Sequence, residues 1–156
     1  LHYPLRRQRQ MCIRDREGTM ADLKTSTKIS ESTREVVYAF QYQYVDAGDE
    51  SAVLKIDVSG LSKNANGSSC TGIRIIECWW VIKAMTVEVL ADADTDIIIL
   101  HLDEGQSGYQ DFSRFGGLPT SSSYGASGTG DIKFTTTGAG AAGDAYQIVI
   151  RGIKEY

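Results

Sequence analysis

The chain closes on Gly130-Asp-Ile-Lys-Phe-Thr-Thr-Thr137, a small-residue stretch from Gly138 to Asp144, and then Ala145-Tyr-Gln-Ile-Val-Ile-Arg-Gly-Ile-Lys154. This is strand, turn, strand: β-branched and aromatic residues alternate with polar ones on either side of a Gly/Ala break. The same rhythm runs upstream. Arg34–Val45 places Tyr38, Phe40, Tyr42 and Tyr44 on one face at a spacing of two, with Val37, Ala39, Gln41 and Gln43 on the other. Four aromatics in register can fill half of a sandwich core. Ser51–Val58 reads as a second strand in which Val53, Leu54 and Ile56 compete for the inside. Gly72–Met85 is apolar on both parities around Ile75-Ile76 and Trp79-Trp80, so it is expected to be central, or bent by a bulge that switches faces. Val87–Leu90 and Ile97–Leu102 flank an Asp-rich turn as a hairpin.

Between these strands lie polar segments. Leu23–Ser32 is Ser/Thr-rich and reads as an extended arm or a weak first strand. Ser59–Thr71 is a loop. Asp103–Thr129 is the longest irregular stretch, with Gly105, Gly108, Gly116, Gly117, Gly125, Gly128 and Pro119, and such a length is expected to carry function or an interface. The sum is an all-β chain: an antiparallel β-sandwich, jelly-roll or Ig-like, of about seven to eight strands. One domain is expected over 34–156, preceded by an arm at 20–33.

Residues 1–19 do not belong with the rest. They hold five arginines (Arg6, Arg7, Arg9, Arg14, Arg16) against Asp15 and Glu17, a local balance of +3. The chain's net charge is −4, so residues 20–156 carry −7. Met11-Cys-Ile-Arg-Asp-Arg16 resembles translated sequencing-adapter read-through, and Met20 then looks like the start. The segment is read as a non-native or disordered extension; the alternative is a basic tail that binds nucleic acid or an acidic partner. The acidic remainder argues against a nucleic-acid-binding face, and no apolar run approaches the roughly 18 residues of a membrane span. Cys70 and Cys78 are expected to be reduced thiols. Cys78 reads as a buried small hydrophobe. For Cys70, in a Ser-rich loop, exposure is the expectation, with a bridge to Cys78 left open as an alternative.

No catalytic, cofactor or metal site assembles from the motifs. Asp92, Asp94 and Asp96 have calcium-loop spacing, and Asp103 falls at the twelfth position, but the sixth is Ile97 rather than glycine and a strand follows. They read as an acidic hairpin tip. His101 can share a strand face with Asp103, yet Ser107 and Ser113 lack the context of a nucleophile, so His101 reads as structural. Gly125-Ala-Ser-Gly128 lacks the Lys-Ser/Thr of a phosphate loop. Adjacent strand residues point opposite ways, so one of Trp79 and Trp80 belongs in the core while the other can face out. An exposed indole would suit sugar stacking.

Asp111-Phe-Ser-Arg-Phe-Gly-Gly-Leu118, Gly130-Asp-Ile-Lys-Phe-Thr-Thr136 and Gly143-Asp-Ala-Tyr-Gln-Ile-Val-Ile150, with the basic Lys154 after them, carry a family resemblance. So does Ser32-Thr-Arg34 leading into the aromatic strand. The chain is similar to small β-rich virion structural proteins of tailed, marine-type bacteriophages, over about two-thirds of residues 20–156. The resemblance implies a non-enzymatic capsid-decoration, neck or tail component. It would be a homo-oligomer that contacts other virion proteins, located in the virion and in the host cytoplasm during assembly. It implies no catalytic residue and no cofactor. The alternative expectation is a carbohydrate-binding module or adhesin recognising a surface glycan through Trp79 or Trp80. A hydrolase around His101 and Asp103 is a third. On the resemblance, Asp103–Thr129 and Ala21–Ser32 are the expected contact segments, and removing Ala21–Ser32 is expected to weaken assembly more than thermal stability.

Overall fold

The computed structural model describes residues 22–104, 107–120 and 127–156. Nine strands run through them: β1 (Leu23–Glu31), β2 (Glu35–Gln43), β3 (Val53–Ile56), β4 (Gly72–Lys83), β5 (Thr86–Ala91), β6 (Ile97–Leu102), β7 (Ser107–Asp111), β8 (Ile132–Thr137) and β9 (Ala145–Glu155). Every strand pair is antiparallel. One sheet has the order β1-β2-β9-β4-β7 and the other β3-β8-β5-β6. Without β1, these are the two four-stranded sheets of a jelly roll, in which consecutive strands from β2 to β5 alternate between layers. Of the two sandwich topologies anticipated, the chain adopts this one. It adds β1 along the outside of β2.

The sheets meet through the residues the alternation singled out. Phe40 from β2 packs edge-on against Phe134 from β8 at 5.0 Å, and Tyr42 stacks on Tyr146 from β9 at 5.3 Å. Ile56, Ile75, Cys78, Ile82, Val87, Val89, Ile132, Ile148 and Ile150 complete a continuous buried cluster. In β4 both expectations hold at once. The strand lies between β9 and β7, and its register against β9 slips between Ile75 and Glu77. Ile73 and Ile75 point inward before that bulge, and Cys78, Trp80 and Ile82 after it. The extra residue, Ile76, is buried as well.

Buried polar groups tie the ends of the sandwich. Asp22 Oδ1 accepts from the N–H groups of Val45, Asp46 and Ala47 at 2.7, 3.0 and 3.2 Å, and its Oδ2 accepts from Tyr42 Oη. Glu50, fully buried, accepts from Lys55 Nζ at 2.7 Å and from Tyr146 Oη at 2.8 Å. At the other end Lys154, whose side chain is wholly inaccessible, pairs with Glu31 and donates to Ser62 Oγ at 2.7 Å. Each buried charge therefore has the partners it needs.

The structure corrects four expectations. Of the two readings of Leu23–Ser32, the first strand holds and the extended arm does not, because Asp22 and Glu31 fasten both ends of β1, so the folded unit begins before residue 34. Val53 and Leu54 are exposed and only Ile56 enters the core: β3 is a short edge strand whose register slips between Leu54 and Ile56. The 103–129 stretch contains β7 and a 3₁₀ turn at Ser113–Phe115. Its strand is hard to see because Ser107-Gly-Tyr-Gln-Asp111 has no β-branched residue. Glycine is required at 108, where a Cβ would come within 2.6 Å of Trp80 Cζ2. Finally, Cys70 is buried, its Sγ 3.2 Å from the Gly72 carbonyl oxygen, and both cysteines are free thiols. Residues 1–19, Gly105 and Gly125 lie outside the described residues.

Candidate functional site: the outer face and free edge of the larger sheet

Residues paired across antiparallel strands share a face, so the register assembles the outer surface of the five-stranded sheet row by row. The first row is Leu23, Gln43, Ala145 and Lys83. Next come Thr25, Gln41, Gln147, Val81 and Ser107, and then Thr27, Ala39, Val149, Trp79 and Tyr109. The fourth is Val37, Arg151, Glu77 and Asp111. The two middle rows hold ten residues without a single charge, on a chain with 36 charged side chains. A groove of about 600 Å³ opens along the first two rows, lined by Leu23, Thr25, Gln41, Gln43, Val81 and Gln147 among others.

At the β4–β7 side of this face stands an aromatic pair. Trp79 stacks on Tyr109 with ring centroids 5.0 Å apart and planes at 29°. The two residues are 39% and 48% exposed. Tyr109 Oη donates to Glu77 Oε1 at 3.0 Å, and Arg151 bridges Glu77 Oε2 at 3.1 Å and Glu35 Oε1 at 2.9 Å. Partial desolvation, then the Glu77 carboxylate, push the Tyr109 phenol above its ordinary range. In the fourth row Glu77 and Arg151 are thus spent on each other, on Glu35 and on fixing the tyrosine, while Asp111 accepts from the Ser113 N–H. Trp80 turns the other way and packs against the core. One indole in and one out is what the alternation predicts.

The second feature is the edge. β1 pairs with β2 alone, and eight of its nine residues are exposed, whichever face they point to. It therefore extends past the smaller sheet with one row of backbone groups unpaired. Its lysines are engaged within the chain. Lys24 Nζ lies 3.9 Å from Asp22 Oδ2 and 4.0 Å from Glu50 Oε1, and Lys28 pairs with Glu31.

The other nominated residues fall elsewhere. Asp92 and Asp96 both grip Lys133 of β8, and Asp92 also accepts from Thr129 N–H and Oγ1. The Lys133 ammonium, followed by Thr129, holds the Asp92 carboxyl at about 2. This acidic tip fastens the β5–β6 hairpin to β8. Among the described residues no group of three or more His, Cys, Asp or Glu is placed to hold a metal ion. His101 sits between carboxylates, Nε2 3.1 Å from Asp103 and Nδ1 3.4 Å from Glu88, half exposed on the smaller sheet. Ser107 belongs to the opposite sheet, and Ser113 N–H is taken by Asp111 at 2.8 Å. The structure does not bring either serine to His101. Sequence reading missed Tyr109 because its strand was missed; the outward Gln41/Gln43 alternation was visible.

No protein-family model and no curated protein sequence matches the chain. Among solved structures it is similar to a cupin domain from Bordetella pertussis Tohama I, at 10% identity over 88% of this chain and 100% of that one, with a TM-score of 0.35. An RmlC-like cupin family protein with a double-stranded β-helix fold from Methanocaldococcus jannaschii matches at 9% identity over 89% and 84%, with a TM-score of 0.32. A cupin superfamily protein from Desulfitobacterium hafniense DCB-2 matches at 10% identity over 85% and 79%, also with a TM-score of 0.32. Likeness at this level bears on neither site nor activity. Among the described residues no helix is long and apolar enough to cross a membrane.

Proposed function

We propose that this chain is a non-enzymatic structural protein of a tailed-bacteriophage virion, a capsid-decoration, neck or tail component that binds copies of itself and other virion proteins. The jelly roll is used by capsid and lectin domains alike, so architecture alone does not choose. The resemblance in Gly130–Lys154 supplies the class, and β1 supplies the mode of contact. A nine-residue strand, paired on one side and clamped at both ends, offers a neighbour a ready-made edge for strand addition. Lysines on an edge strand usually deter such pairing. Here Lys28 pairs with Glu31, and Lys24 lies 3.9 and 4.0 Å from Asp22 and Glu50, which weakens the deterrent. Strand addition between identical edges closes a symmetric dimer.

Light scattering on the purified chain tests this. Successive strand N–H groups point to opposite sides, so of Ser26→Pro and Thr27→Pro one deletes a ladder bond to β2 and the other only a donor on the free edge. The wild type is expected as a discrete oligomer, and one of the two variants as a monomer that still melts close to the wild-type temperature. A wild type that stays monomeric at every concentration contradicts pairing through β1.

A further inference from the structure

We propose that the outer face of the five-stranded sheet is a binding site for a neutral oligosaccharide. It uses outward side chains, Thr25 of β1 among them, rather than the backbone groups of the β1 edge, and holds whether or not the chain is a particle component. Three observations converge. The Trp79–Tyr109 pair presents half-exposed rings, its tyrosine fixed by Glu77, which Arg151 links to Glu35. A pyranose ring offers a C–H face that packs on such π surfaces. Beside the rings, the exposed amides of Gln41, Gln43 and Gln147 and the hydroxyl of Thr25 line the groove. Amides both donate and accept, which matches sugar hydroxyls that do the same. The two middle rows contain no charge, and the groove's one charged lining residue, Lys83, stands in the first row, where its ammonium can donate to a sugar hydroxyl.

Geometry favours a chain of sugars over a single one. Val81 lines the groove, and Trp79 stands two residues away on the same face of β4, so rings and groove form one track across the sheet. The groove's volume of about 600 Å³ lies within the range of small-ligand sites. A flat patch for a second protein needs neither the concavity nor the row of exposed amides, of which Gln41 accepts from Thr25 Oγ1 at 3.3 Å.

Trp79 and Trp80 are the only tryptophans, and Trp80 is packed inward, so intrinsic fluorescence in a Trp80→Phe background reports Trp79 alone. The full chain is titrated with a panel of linear neutral oligosaccharides of glucose, mannose, galactose and N-acetylglucosamine. At least one is expected to give a saturable change, reproduced by calorimetry on the wild type. Calorimetry should show Trp79→Ala and Tyr109→Ala raising Kd about tenfold or more, and Gln147→Ala raising it several-fold, each with an unchanged melting temperature. Trp79→Phe is expected to retain part of the affinity. No saturable response to any member of the panel overturns the proposal. So does binding that survives Trp79→Ala, or a light-scattering mass that falls to the monomer on Trp79→Ala, because the face would then be covered by a second copy.

Discussion

Single residues carry the fold at points where the space is already taken. Gly130, in the Gly-Asp-Ile motif, has φ +83°, and a Cβ there would press into the Thr71 carbonyl oxygen. Gly130→Ala therefore combines a left-handed backbone with a backbone clash, and should cost roughly 3 kcal/mol in chemical denaturation. Glu31 is the other such point. Burial opposes its ionisation, but Lys154, Lys28 and the Ser62 N–H outweigh burial and hold its carboxyl at about 2. Glu31→Gln leaves the inaccessible Lys154 ammonium without its counter-charge, and a loss of about 3 kcal/mol is expected. The pH dependence has a definite sign. The folded value lies below the ordinary 4.5, so the contribution is complete above about pH 5 and is lost as pH falls toward 2. Acid unfolding of the wild type should begin in that window, and the same limb should be flatter in Glu31→Gln.

At the scale of elements, β1 changes what a truncation would report. Deleting residues 21–32 removes Asp22 and Glu31 together with the strand between them, exposing the 45–47 N–H groups and stranding Lys154. Thermal stability should therefore fall by several degrees at least, contrary to the expectation for a loose arm, and differential scanning calorimetry measures it directly. Point changes on the free edge are the cleaner probe of assembly. β1 was only half legible because Leu23-Lys-Thr-Ser-Thr-Lys-Ile-Ser-Glu31 buries nothing, and a strand held by its ends leaves no apolar alternation. β2, β4, β8 and β9 were legible because each buries one face, and the doubled apolar pairs of β4 even announced its bulge. β7 was hidden by Gly108, which serves Trp80 on the neighbouring strand rather than its own. Tyr109, half of the aromatic pair, went unseen with it.

For the whole molecule, two sheets close a buried cluster, and ionic groups tie down the ends: Asp22 and Glu50 at one, Glu31 and Lys154 at the other. What remains outward on the larger sheet is a free edge and a face whose two middle rows are uncharged, two surfaces for two kinds of contact. The acidic tip and His101, the most enzyme-like features of the sequence, go to hairpin anchoring and an exposed contact with Asp103. The central claim is that this chain is a building block of a virus particle. Quantitative mass spectrometry of virions purified through a density gradient, from the host or sample that carries this gene, tests it most directly. Peptides spanning β8 and β9 are expected in the particle fraction, at a fixed multi-copy ratio to the major capsid protein. Their absence from intact particles, with the protein found only among free lysate components, would contradict the account.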